Sequence, residues 1–135
     1  MSDNVSFAKT FLALERAIEI AQQRHTHITS NISNLDTPNY KAKEIDFERA
    51  LAQAMESDHG FNLAKTHKGH IDMGINASGR IEPFEEEGEW NGFNWIEIDK
   101  EMTKLMENNL MYRTAIESLL RKINTLKEVI KEGGR

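Results

Sequence analysis

Cysteine is absent from the 135 residues, which excludes disulfides, thiol catalysis, redox switching and cysteine-ligated zinc. No stretch approaches the roughly 20 consecutive apolar residues that span a bilayer, so no direct membrane span is expected. Positive charge is in short supply. Seventeen Lys and Arg face 22 Asp and Glu, for a formal net charge of −5 and a sequence pI near 5.5. A nucleic-acid binder needs a basic surface to displace phosphate counterions, so no nucleic-acid partner is expected. No cleaved leader is expected either. The opening MSDNVSFAKTFLALERAIEI carries charges through its apolar part and has no small-residue cleavage site, so any export must proceed without a cleaved signal peptide. No Ser/His/Asp arrangement stands out, and Gly69, Gly74, Gly79 and Gly92 are scattered rather than gathered before a helix. No enzyme activity and no cofactor are expected.

What is present is unevenly distributed. Residues 1–35 are charge-neutral, residues 36–97 carry a net charge of −7, and residues 98–135 carry +2. Both prolines and six of the eight glycines fall in the middle part. The division predicts an N-terminal core helix over 1–35, a turn motif, short helix and irregular segment over 36–97, and a C-terminal core helix over 98–135.

The two ends share one rhythm. Phe7, Phe11, Leu14, Ile18, Ala21, His25, Ile28, Ile32 and Leu35 follow at alternating steps of four and three. That heptad spacing draws one apolar seam along a helix. Ile98, Met102, Leu105, Asn109, Tyr112, Ile116, Leu119, Ile123, Leu126 and Ile130 repeat it. Asp99 is read as the N-cap of this second helix, and Gly133-Gly134 as its stop. At 1.5 Å per residue the helices run on the order of 40 and 50 Å. The predicted fold is all-α: the terminal helices pack as an antiparallel coiled-coil-like hairpin around a short middle helix and a loop-rich centre. Setting Phe7 level with Ile130 brings His25 near Tyr112 and Asn109; either one polar residue in each seam then fixes register, or both face solvent or another subunit. A second row on the last helix (Met106, Leu110, Leu120, Val129) is too wide for one partner. The chain looks built to assemble with other helices.

Between the helices lies Asn31-Ile32-Ser33-Asn34-Leu35-Asp36-Thr37-Pro38-Asn39-Tyr40-Lys41. Pro38 pushes Thr37 out of helical space, so the first helix ends before it. Pro38-Asn39 suits the centre of a tight turn because Asn tolerates positive φ. This stretch resembles the N-terminal signature of the bacterial flagellar axial proteins, the rod and hook family, where a helix ends in a pattern like N-I-A-N-x-D-T-P-G-Y-K/R. Asn31, Ile32, Asn34, Asp36, Thr37, Pro38, Tyr40 and Lys41 match; Ser33 and Asn39 depart, both conservatively for a turn. The continuation Ile45-Asp46-Phe47-Glu48-Arg49-Ala50-Leu51 looks most like the family's short proximal rod subunits. So do Thr66-His67, His70-Ile71, Glu101-Met102, Glu107-Asn108 and Tyr112-Arg113.

The resemblance implies a structural subunit of the flagellar basal-body rod, in the periplasmic space, polymerising through its terminal helices into the drive shaft between rotor and hook. It implies self-association, other rod subunits, an MS-ring or export-gate adaptor at the rod base, and the type III export apparatus as partners. The interface residues would be the two seams and the turn Asn31–Tyr40. Two other readings stay open: the other short proximal rod subunit, and a free-standing coiled-coil adaptor or secretion chaperone, which has no need of the turn.

His67 and His70, with Asp72, have spacing for a metal, but the surrounding segment is basic and unlike a metal loop, so no metal site is assigned. Glu82, Glu85, Glu86, Glu87 and Glu89 read as a solvated, mutually repelling run rather than a calcium loop. Trp90, Phe93 and Trp95 beside them read as a subunit contact or as packing onto the helix base. Residues 46–55 read as a short helix capped by Asp46, with Phe47, Ala50, Leu51, Ala54 and Met55 inward.

Overall fold

The computed structural model describes residues 2–57 and 81–134, with backbone alone for residues 2–6 and 57. Two long helices, α1 (Ser2–Ser33) and α3 (Ile98–Gly133), run antiparallel and pack along each other. Between them lie a short helix α2 (Phe47–Ser57) and two two-residue strands, β1 (Lys43–Glu44) and β2 (Phe84–Glu85). The strands pair antiparallel, Lys43 opposite Glu85 and Glu44 opposite Phe84. The fold is all-α with the expected terminal pairing. The His67, His70 and Asp72 reading lies outside the described residues.

The last turns of α1 are rich in Ser and Thr, which favour non-helical backbone when their hydroxyls compete for it. Here the Thr26, Thr29 and Ser33 hydroxyls donate to the carbonyls of Gln22, His25 and Thr29, one turn back, and the competition is turned into extra bonds within the helix. The helix ends as the proline predicts. Thr37 and Tyr40 close a turn through Tyr40 N–H to Thr37 C=O at 3.4 Å, with Pro38 and Asn39 at its centre. Asn39 has φ = 57°, the only positive φ outside glycine among the described residues. Asn39→Gly is therefore expected to leave stability within about 0.5 kcal/mol, because both residues visit left-handed backbone readily. Asn39→Val is expected to cost about 1–2 kcal/mol; urea unfolding of the two variants checks the ordering.

Asp46 caps α2 as expected, its Oδ1 accepting from Arg49 N–H at 3.1 Å. That helix closes a small apolar cluster of Ile20, Ile45 and Ala50, flanked by Phe47, Leu51 and Ile81. Fully burying Ile20 and Ile45 is worth about 1.5–3 kcal/mol each. A core this small leaves much of the specificity of the fold to polar contacts.

The helix contact departs from the seams in phase and in register. On α3 the buried residues are Glu101, Lys104, Asn108 and Ala115, each one position before a seam residue (Met102, Leu105, Asn109, Ile116). One residue is a rotation of about 100°. The face of α3 turned to α1 is thus polar and small over its first half. Leu105, Tyr112, Ile116, Leu119 and Ile123 are half-buried on its flank, while Ile98, Met102, Asn109, Leu126 and Ile130 are exposed. On α1, Ala21 and Ile28 are buried as the seam predicts, and Ile20 and Asn31 beside them. The register is shifted too. Asn31 meets Glu101, Asn108 donates to the Ala21 carbonyl, and the Lys122 ammonium lies 4.5 Å from the Phe7 ring centroid. Phe7 is therefore level with residue 122 rather than 130. His25 and Asn109 are both exposed and form no buried pair. Register follows Asn31, Glu101 and the Asn108 side-chain N–H, which find hydrogen-bond partners when buried, although Asn108 Oδ1 is buried without one among the described residues. One smaller expectation also changes: Glu97, not Asp99, holds the N-cap position of α3, with no side-chain capping bond, and Asp99 sits in the first turn.

Candidate assembly interface

At the turn end of the hairpin, buried polar groups lock the middle segment onto both long helices. Asn31, fully buried, donates to the Lys43 carbonyl at 2.9 Å and to Glu101 Oε2 at 2.8 Å. Its carbonyl accepts from Lys43 N–H at 2.9 Å and from the Tyr40 hydroxyl at 3.4 Å. One side chain thus joins α1, the turn, β1 and α3. Lys104 reaches three carboxylates: Glu101 at 2.8 Å, Glu44 at 3.2 Å, and Glu86. Arg24 holds Glu44 through Nε at 2.8 Å and Nη2 at 3.3 Å, and Lys100 holds Glu86 at 2.7 Å. Three cations match three anions, so a cluster that isolated burial would make prohibitive is neutral overall.

The acidic run is therefore not wholly solvated. Glu86 belongs to the cluster and Glu85 pairs with Lys41 at 3.3 Å. Glu82, Glu87 and Glu89 are exposed, with no ion pair among the described residues. Burial alone would push the Glu44 carboxyl up. Hydrogen bonds from Arg24 and the Ile45 N–H, then the charges of Arg24 and Lys104, outweigh burial and hold Glu44 below the usual carboxylate range. Glu86 is held low in the same way by Lys100 and Lys104 against its own desolvation. Burial would lower the Lys104 ammonium, but its carboxylate partners, Glu101 first, raise it.

These directions fix the pH response. Both carboxyls sit lower folded than unfolded, so their contribution is complete above the ordinary Glu value of about 4.3 and disappears as pH falls through the folded values. The Lys104 contribution is complete below its ordinary value of about 10.4 and fades only at higher pH. Stability measured by thermal unfolding is expected to be flat between about pH 5 and 8 and to drop below about pH 4. Glu86→Gln should flatten part of that drop.

A second clasp joins the turn to the segment before α3. Asn94, fully buried, donates to the Leu35 carbonyl at 2.6 Å. Asn39 N–H donates to Phe93 C=O at 3.0 Å, and Trp95 N–H to Tyr40 C=O at 3.1 Å. The Thr37 hydroxyl donates to Asn34 Oδ1 at 2.9 Å. Asp36, Thr37 and Pro38 are exposed, while Asn34 and Tyr40 are half-buried. Of the residues read as interface, the turn group is thus gathered at one end of the hairpin. The α3 group is split between the α1 contact and the outer face.

That outer face is the open part of the molecule. Ile98, Met102, Met106 and Leu110 step by four along α3 at 42%, 40%, 68% and 68% exposure, and Leu120, Val129 and Ile130 follow at 53%, 61% and 72%. Monomeric proteins rarely leave so many large apolar side chains in water, and large exposed patches mark interaction surfaces. Glu44, Glu101 and Lys104 escaped sequence reasoning. For Glu101 and Lys104 the signal was their three-and-four spacing with Asn108, the same beat as the seam carried by polar letters; Glu44 carried none.

Among the described residues no group of three or more His, Cys, Asp or Glu is placed to hold a metal ion, and no helix is long and apolar enough to cross a membrane. The class defined by the fold is a helical-hairpin scaffold, locked by polar contacts at one end and apolar on an outer helix face. No protein-family model matches the chain. Individual relatives do. The chain is 36% identical over 129 residues to the flagellar basal body rod protein FlgB of Bacillus subtilis, covering 94% of this chain and 97% of that protein. It is 31% identical over 133 residues to the FlgB protein of Aeromonas hydrophila, covering 94% and 96%. It is 35% identical over 118 residues to that of Cereibacter sphaeroides, covering 86% and 89%. The chain belongs to the FlgB family of flagellar basal body rod proteins.

Proposed function

We propose that this chain is a structural subunit of the proximal rod, polymerising through its terminal helices with copies of itself and with other rod subunits into the drive shaft between rotor and hook. The observation that carries the reading is the outer row of α3, Ile98 to Leu110, which is large, apolar and exposed in the single chain. A helix face of that kind needs further helices to cover it. The seam residues left half-exposed on α1 (Phe7, Phe11, Leu14, Ile18, Ile32) join the same assembly surface. The Asn34–Tyr40 turn meets neighbours at the hairpin end. An adaptor at the rod base and, transiently, the type III export apparatus are the remaining partners, and the chain acts in the periplasmic space.

The reading is tested by replacing Met106 and Leu110 together with Glu in a motile host lacking its own copy. Two carboxylates on a solvent face leave the isolated chain folded, whereas in a covered face each is costly to bury. Motility is expected to be lost while the circular dichroism of the purified variant is unchanged. Normal swimming by the double variant would contradict the proposal.

A further inference from the structure

The segment between β2 and α3 displays aromatic side chains from a backbone that has little freedom. Trp90 is 50% exposed and Phe93 46% exposed, yet the loop carrying them is stitched from within and without. The Asn91 side-chain Oδ1 accepts from the N–H groups of Phe93 and Asn94, both at 2.9 Å, and its Nδ2 donates to Asn94 Oδ1 and the Ile96 carbonyl. Gly92, at φ = 95°, makes the reversal. A Cβ at Gly88 would lie 2.6 Å from the Trp95 carbonyl oxygen, so only glycine permits that close approach. The Trp90 ring leans on Trp95 with centroids 4.5 Å apart. Two carboxylates, Glu87 and Glu89, precede Trp90 in the chain, exposed and without an ion pair among the described residues.

Exposed Trp beside free carboxylates has a definite chemical preference. The ring face attracts cations, the carboxylates add a field of the same sense, and a rigid aromatic costs little entropy to bury. The neighbouring ring already behaves so: Lys41 Nζ lies 5.8 Å from the Trp95 ring centroid. The geometry points to this tip as a docking surface for a cationic amphipathic helix of a neighbouring rod subunit, one that carries Lys and Arg beside aliphatic side chains. The inference rests on the rod-subunit reading and adds which chemistry the neighbour presents at this end. Residues 113–131 of this chain show what such a helix looks like, with five cations, two anions and exposed Leu120, Leu126, Val129 and Ile130. A second copy of this chain is a poorer occupant, because each copy has a net charge of −5 and like-charged wholes oppose the attraction of their ends.

The test uses the full-length chain and, as probe, a fluorescent designed helical peptide with the charge balance and aliphatic content of residues 113–131 but a sequence unrelated to this chain, followed by anisotropy and by Trp fluorescence. Saturable binding is expected, weakening about tenfold on raising salt from about 50 to 200 mM. Trp90→Ala should weaken it at least about tenfold. Glu87→Gln with Glu89→Gln, which disturbs no hydrogen bond of the loop, should weaken it about threefold to tenfold. A probe with its Lys and Arg changed to Glu should not bind. Absence of binding, equal binding of the acidic probe, or indifference to both variants overturns the assignment. Oligomerisation of the chain through Trp90 at low micromolar concentration also overturns it, since the occupant would then be a second copy. Motility loss in the Met106/Leu110 variant reads the α3 face alone, so failure at the tip and failure of the rod reading are separate results.

Discussion

Replacing Lys104 with Ala is expected to lower stability by about 3–5 kcal/mol, the usual cost of removing one partner from a buried ion cluster. The residue is 8% exposed and its ammonium serves Glu44, Glu86 and Glu101 at once. Without it, three carboxylates from β1, the segment after β2, and α3 face one another with only Arg24 and Lys100 left to balance them. Glu101 suffers most. It is 1% exposed, and its remaining hydrogen bond comes from the Asn31 amide. Urea unfolding at neutral pH reads the loss. The same variant at about pH 3.5 should lose less relative to the parent, because protonation removes the repulsion that the deletion exposes. A loss under about 1 kcal/mol at neutral pH would mean that water reaches these carboxylates and that the cluster does not hold the segment to the helices.

Asn31→Leu is the companion case, with an expected cost of about 3–5 kcal/mol. The volume is nearly kept, so the effect is polar rather than a cavity. Leucine strands the Lys43 N–H and C=O and one oxygen of Glu101, each worth about 1–3 kcal/mol when buried without a partner. Asn31→Asp separates geometry from charge. It can still accept from Lys43 N–H, but it sets a second carboxylate against Glu101 Oε2, and it should be at least as damaging as leucine. A double-mutant cycle of Asn31→Leu with Lys104→Ala is expected to show coupling, since both act on Glu101.

Much of this architecture was legible in the sequence, for reasons that can be named. The heptad steps gave two long helices, because a helix with a one-sided apolar pattern has few other ways to bury it. Pro38 and Asn39 gave the turn, because one forbids helix before it and the other accepts positive φ. Asp46 gave the start of α2. The contact face was not legible. Reading apolar residues as inward placed Met102 and Asn109 against α1, whereas the structure turns α3 by one residue and buries Glu101, Lys104 and Asn108 there. A single chain's sequence does not separate an apolar row meant for its own partner helix from one meant for another molecule. The polar residues between them are decided by contacts with residues 44 and 86, far away in sequence. The role of Arg24 was hidden for the same reason: its partner, Glu44, lies 20 positions on. The Asn31 position stood out only as part of a motif, and its four polar contacts explain why an amide that both donates and accepts belongs there.

The central claim is that the outer face of α3 is exposed in the single chain and covered in the rod. It is tested most directly by Met106→Cys, the only thiol in a chain without cysteine. Maleimide labelling is compared between the purified chain and basal bodies isolated from cells carrying the variant. The account predicts rapid labelling of the purified chain, where position 106 is 68% exposed, and protection of about tenfold or more in basal bodies. Equal labelling in the two would contradict it.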